Sequence, residues 1–215
     1  MKPDLSSGGL YAITPGHVAD AEIMLARVVA ALNGGVRILQ YRDKQRSAEE
    51  RLVLARRLRE ICHARKALFL VNDDVELAVA AGADGVHLGQ SDGAVADARS
   101  RLGSDALIGV TCHDSLPLAR QAQAYGADYV AFGRFFPSAS KPEAPPAVPA
   151  TLRVARAELS LPLVAIGGVT PDNGGALLEA GAHWLAVIGA LFDAPDSRAA
   201  ALAFAPLFAS SRGPL

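Results

Sequence analysis

Residues 68–73 read Leu68-Phe69-Leu70-Val71-Asn72-Asp73, and residues 85–92 read Gly85-Val86-His87-Leu88-Gly89-Gln90-Ser91-Asp92. Each opens as a short apolar run and closes on polar residues, with a helix-like stretch over residues 74–81 between them. An apolar run with no polar face reads as a strand covered on both sides, the mark of a parallel sheet. Both runs deliver a carboxylate, Asp73 and Asp92, just beyond their carboxyl ends. On neighbouring strands of a closed sheet the two acids share one rim, where carboxylates together with substrate phosphates suit Mg2+. Taken singly, each acid reads equally well as the cap of the next helix.

Outward from this pair, a short apolar run followed by a longer amphipathic one recurs until the pattern has appeared eight times. Further strands are expected at residues 10–14, 36–41, 107–111, 128–132, 163–166 and 184–188. Helices are expected at residues 19–32, 48–65, 74–81, 97–102, 115–125, 150–158, 172–180 and 197–208. Gly34-Gly35 closes the first helix in the manner of a C-terminal glycine. Three similar steps, Gly82-Ala83-Asp84, Gly126-Ala127-Asp128 and Gly181-Ala182-His183, each join a helix to a strand, with the glycine expected in the left-handed conformation. Eight βα units fit a single-domain (β/α)8 barrel over residues 10–209, with an N-terminal extension at 1–9 and a C-terminal tail at 210–215. The absence of GxGxxG after the first strand argues against an open doubly wound sheet.

A chain of 215 residues that is 51% apolar can bury a large core. Its formal net charge is −1 and no Lys/Arg block stands out, so nothing points to nucleic acid or an anionic membrane. No apolar run approaches the roughly 18 residues of a membrane span, and no signal peptide is expected at the N-terminus. Cys62 and Cys112 lie outside any CxxC or Cys/His spacing and read as reduced thiols of a cytoplasmic protein.

Barrels of this class carry their chemistry on the rim at the carboxyl ends of the strands. Arg42 and Lys44, two residues apart and facing the same way on an extended chain, suit a phosphate or diphosphate. Asn72 offers both donor and acceptor to a heterocycle edge. His87 lies within a strand and reads first as a satisfied core residue, second as a catalyst. Thr111 presents a hydroxyl that either holds substrate or caps the next turn. In Pro137-Ser138-Ala139-Ser140-Lys141, two hydroxyls, small residues and a cation match a phosphate. Gly167-Gly168 and Gly189 free backbone N–H groups after the seventh and eighth strands, where phosphate sites recur. The same glycines also suit tight packing.

As a set these residues resemble the thiamine phosphate synthase family, over residues 10–191. The matching motifs are Gln40-Tyr41-Arg42-Asp43-Lys44, Asn72-Asp73, residues 85–92, residues 133–141 and Ala165-Ile166-Gly167-Gly168. The resemblance implies a transferase joining hydroxymethylpyrimidine diphosphate to thiazole phosphate. Gln40, Tyr41, Arg42, Asp43, Lys44, Asn72, Thr111 and Lys141 would then bind the pyrimidine diphosphate, and Asp73 and Asp92 would hold Mg2+. Ser138, Ala139, Ser140, Gly168, Ile188 and Gly189 would bind the thiazole phosphate. Arg42, Lys44 and Lys141 would carry the catalysis.

The sequence departs from the family pattern at Ser138, Ser140 and Thr111, where the hydroxyl is kept, and at Gly189, where serine is common. Arg134 stands where many members have proline and where related thiazole tautomerases carry histidine. The competing expectations are such an isomerase and a non-catalytic thiazole or thiamine phosphate binder; Asp73, Asp92 and Lys141 argue against both. Assembly into a homo-oligomer stays open.

Overall fold

The computed structural model describes residues 2–91, 93–137 and 146–210. The elements follow in the order β1 Gly9–Ile13, α1 Ala21–Asn33, β2 Val36–Tyr41, α2 Ala48–His63, β3 Leu68–Asn72 and α3 Val75–Ala81. Next come β4 Gly85–Leu88, α4 Val95–Leu102, β5 Leu107–His113, α5 Leu116–Ala124, β6 Tyr129–Phe132 and α6 Pro149–Glu158. The chain ends with β7 Leu163–Ile166, α7 Pro171–Glu179, β8 Trp184–Val187, α8 Gly189–Phe192, α9 Ser197–Leu202 and α10 Ala205–Ser210. The eight strands close into one parallel barrel in sequence order, β1 pairing with β8 through Gly9↔Trp184 and Leu10↔Leu185.

Period-2 alternation sends neighbouring strand residues to opposite faces. Phe69, outward, packs with the helix layer, and Leu70, inward, packs with the barrel filling; both are fully buried. That double covering is why the strands read as unbroken apolar runs. The inward set of Tyr11, Ile13, Ile38, Leu70, Leu107, Tyr129, Val164 and Trp184 fills the barrel from below. Leu5, from the segment before β1, joins this cluster, and its carbonyl accepts the indole N–H of Trp184 at 2.7 Å.

Caps set the helix starts. Asp20 accepts from the N–H groups of Glu22 and Ile23. Ser47 and Glu50 form a reciprocal capping box. Asp74 accepts from Leu77 N–H at 2.9 Å. The expected helix over 197–208 is two, because the ring of Pro206 cannot share a turn with the Leu202 carbonyl four residues back.

The three repeated steps do more than turn the chain. Gly82 takes φ 66°, Gly126 φ 85° and Gly181 φ 112°. The third residue of each step then reaches back to the preceding strand. Asp84 accepts from Phe69 N–H at 2.7 Å and Asp128 from Ile108 N–H at 2.8 Å, while His183 Nδ1 accepts from Leu163 N–H at 2.9 Å. Each clasp satisfies a donor at the start of an odd-numbered strand. Burial, and secondarily the charge of Arg156, holds His183 below the usual imidazole range, in keeping with its acceptor role. Among the described residues no helix is long and apolar enough to cross a membrane.

Candidate active site

The carboxyl-end rim opens into a cavity of about 680 Å³. Among the residues lining it are Gln40, Arg42, Asn72, Thr111, Gly168, Ile188 and Gly189, all singled out from sequence. Asp92, Ser138, Ala139, Ser140 and Lys141 lie outside the described residues.

The ends of β1 and β2 are fixed by Thr14, buried and unnoticed in the sequence. Its hydroxyl accepts from Arg42 N–H at 2.8 Å and donates to the Arg42 carbonyl at 3.1 Å. The strand ends at Tyr41, so alternation no longer relates Arg42 to Lys44. Arg42 lines the cavity, whereas Lys44 is exposed and absent from its lining. Tyr41 points the opposite way from Gln40, into the layer beneath the helices, and its hydroxyl donates to Asp43. Asp43 in turn accepts from the N–H groups of Gln45 and Arg46 and pairs with the Arg46 guanidinium. Burial opposes its charge, but those hydrogen bonds and Arg46 prevail and hold the carboxyl below the usual range. Tyr41 and Asp43 thus shape the β2 turn rather than the cavity wall.

Asp73 follows the last residue of β3. Its N–H bonds to the His87 carbonyl at 2.8 Å, tying the ends of β3 and β4 together. Because Asp74 caps α3, the capping role considered for Asp73 is filled by its neighbour. Asp73 also holds φ 64°, a left-handed conformation that non-glycine residues rarely adopt. Asp92, outside the described residues, comes four positions after Leu88 in the sequence, and Leu88 ends the strand that pairs with β3. Among the described residues no three His, Cys, Asp or Glu side chains group as metal ligands. One or two carboxylate oxygens completed by phosphates are the donor set Mg2+ takes, so these acids fit that ion.

Beneath the rim runs a chain of five polar groups, buried except for the half-buried Thr111 at its end. Gln40 Nε2 donates to Tyr11 Oη at 2.7 Å, and Tyr11 Oη lies 2.9 Å from Tyr129 Oη. Tyr129 Oη lies 2.9 Å from His87 Nδ1, and His87 Nε2 lies 2.8 Å from Thr111 Oγ1. The Tyr129 ring stacks on His87 and covers Gly109, where a Cβ would overlap it. Burial pushes both phenols well up, so they stay protonated. His87 therefore has satisfied nitrogens, as a core histidine should, and lines the cavity as well. Thr111 caps nothing, since Ser115 caps α5. Burial pushes the thiols of Cys62 and Cys112 up to about 12, so neither is a ready nucleophile.

The loop after β6 is seated on the end of β7: Phe135 N–H donates to the Ile166 carbonyl and Phe136 N–H to that of Gly167. Gly168, at φ 62°, lies under Phe136 and Pro137, with no room for a Cβ. Its backbone thus serves both tight packing and the cavity wall. Gly189 begins α8, and a Cβ there would come within 2.6 Å of Asp193 Oδ2. Asp193 Oδ1 is 3.2 Å from His17 Nε2, and both residues stand at the cavity mouth. Neither was evident from sequence, since each sits in an unremarkable loop.

A sequence profile described as thiamine monophosphate synthase matches residues 10–191. The chain is 55% identical over 200 residues to a thiamine-phosphate synthase of Chromobacterium violaceum, covering 93% of this chain and 96% of that one. It is 53% identical over 191 residues to the thiamine-phosphate synthase of Alcanivorax borkumensis, covering 89% and 88%. A solved thiamine phosphate pyrophosphorylase from Pyrococcus furiosus superimposes with a TM-score of 0.87 at 32% identity, over 97% of this chain and 99% of that one.

Proposed function

The chain belongs to the thiamine monophosphate synthase family, and from that premise we propose how its rim residues carry the reaction. The enzyme joins 4-amino-2-methyl-5-hydroxymethylpyrimidine diphosphate to thiazole phosphate, giving thiamine phosphate and diphosphate. The supporting observation is that one cavity is lined by Gln40, Arg42, Asn72 and Thr111 and also by Gly168, Ile188 and Gly189. At about 680 Å³ it has room for two small substrates side by side.

In this reading Gln40, Asn72 and Thr111 orient the pyrimidine, Arg42 and Lys141 face its diphosphate, and the exposed Lys44 reaches the diphosphate from outside the cavity lining. Ser138, Ser140 and the backbone at Gly168, Ile188 and Gly189 hold the thiazole phosphate. When bound, Mg2+ held by Asp73 and Asp92 supplies charge neutralisation on the diphosphate. The bond between the pyrimidine methylene and the diphosphate oxygen breaks, and its electron pair leaves with diphosphate. Arg42, Lys44 and Lys141 stabilise the charge that develops there. The amino-substituted ring delocalises the cation left behind, and the thiazole nitrogen attacks it to form the new C–N bond. No protein nucleophile or base is required. Positioning supplies much of the remaining acceleration.

The test combines the protein with both substrates and Mg2+ and follows diphosphate and thiamine phosphate release. Turnover that EDTA abolishes and Mg2+ restores is expected. Full turnover in EDTA would remove the metal from this account.

A further inference from the structure

We infer that Arg134 is a further substrate-binding residue, whose guanidinium grips the phosphate of the thiazole substrate. This role rests on the placement of that phosphate against the backbone of Gly168, Ile188 and Gly189. Every group assigned to the phosphate there is neutral, being a serine hydroxyl or a backbone N–H. A phosphate monoester carries about −1.5 to −2 charge near neutral pH. The described carboxylate at this end of the cavity opposes it, since a Cβ on Gly189 would come within 2.6 Å of Asp193 Oδ2. His17, 3.2 Å from the other oxygen of Asp193, offsets that charge only when protonated. An anion taken out of water here calls for a permanent cation.

Among the described residues lining the cavity, Arg42 and Arg134 are the two lysine or arginine side chains. The ring order sets them apart. In a closed barrel of eight, β2 and β6 are four strands from each other, so Arg42, just past β2, and Arg134, two residues past β6, rise from opposite walls. Arg42 serves the diphosphate. Arg134 is instead seated across the end of β7: Phe135 N–H bonds to the Ile166 carbonyl at 3.1 Å, and a Cβ on Gly167 would lie 2.3 Å from Arg134 Cβ. The end of β8, which leads into Ile188 and Gly189, is the next strand along, about 4.8 Å away and within the span of an arginine side chain. Arg134 is half-buried, so water screens its charge less than that of a surface guanidinium. Its five N–H donors form a fork suited to phosphate, and they allow an intramolecular partner to be kept while the ligand is held. The competing role is packing alone, with the aliphatic stem against Gly167 and the charge idle.

The experiment measures kcat and KM for both substrates, and kcat/KM for the unphosphorylated thiazole alcohol, in the wild type, Arg134→Met and Gly189→Asp. Arg134→Met keeps an apolar stem over Gly167 and removes the charge. In that variant KM for thiazole phosphate should rise on the order of ten- to a hundredfold, with kcat, KM for the pyrimidine diphosphate and use of the alcohol little changed. An unchanged KM for thiazole phosphate in folded Arg134→Met overturns the inference, as does an equal loss with the alcohol, which marks packing alone. A rise confined to the pyrimidine diphosphate overturns it too, by moving Arg134 to the other anion. Gly189→Asp with an unaltered KM for thiazole phosphate overturns the phosphate placement, and the Arg134 role with it. In the wild type, the Arg134 Nε–H resonance should shift with thiazole phosphate and not with the alcohol. A resonance unmoved at saturating thiazole phosphate overturns the contact even if Arg134→Met does not fold.

Discussion

Replacing Asp73 by glycine and by alanine separates what its backbone costs from what its carboxylate does. At φ 64° an L side chain pays about 1–2 kcal/mol, less for aspartate, and glycine pays nothing. Glycine also loosens the unfolded chain, which costs the fold about 0.4–1 kcal/mol. Both variants lose whatever the carboxylate contributes, so that contribution cancels in their comparison. Asp73→Gly should therefore exceed Asp73→Ala in unfolding free energy by between zero and about 1.6 kcal/mol. The activities should not differ in the same way. If Asp73 holds Mg2+ as proposed, both variants lose a ligand worth several kcal/mol of charge stabilisation, so both should fall by on the order of 10³ in kcat. Urea unfolding and steady-state turnover with saturating Mg2+ supply the two measurements. A glycine variant that keeps most of its turnover would refute the metal-ligand reasoning, and an alanine variant clearly more stable than the glycine one would refute the strain.

Gly109→Ala should drive the Tyr129 ring off its seat, costing about 2–4 kcal/mol from overpacking and lost hydrogen bonds. In a Tyr129→Val background the same change should cost under about 1 kcal/mol by urea unfolding, and equal costs in the two backgrounds would count against the contact. His183 is held below its unfolded pKa, so its neutral form stabilises the fold above about pH 6.5 and that stability is lost as pH falls. His183→Asp keeps an acceptor for Leu163 N–H and should lose less stability than the wild type between pH 7.5 and 5.5; parallel melting curves would contradict this. Lys141→Ala should slow a single turnover more than it weakens thiazole phosphate binding, and an unchanged single-turnover rate would take Lys141 off the diphosphate.

The barrel was legible because its signals are local. Apolar runs of four to six residues, helix caps and the glycine steps each sit within a few positions of what they determine. The rim was legible for the same reason, since strand ends can be counted. Parity was harder. Gln40 and Tyr41 were read together as substrate contacts, yet adjacent strand residues face opposite ways, and only Gln40 reaches the cavity. In a strand apolar on both faces, nothing local says which parity points inward. The Tyr11–Tyr129–His87 chain was illegible for a related reason. Its members lie up to 118 residues apart and meet only after the sheet closes. The clasps of Asp84, Asp128 and His183 showed as a repeated motif, but their partners are backbone groups that carry no mark in the side-chain sequence.

The seam between β1 and β8 joins the two most distant strands of the ring, so its formation carries the greatest loop-closure entropy of any strand pairing. Among the described residues no clasp of the Asp84 kind guards that joint. Instead Leu5 wedges beneath it and Trp184 latches onto the Leu5 carbonyl. The hoop is thus riveted by the few residues ahead of its first stave, and a trimmed N-terminus would loosen the whole vessel at that joint.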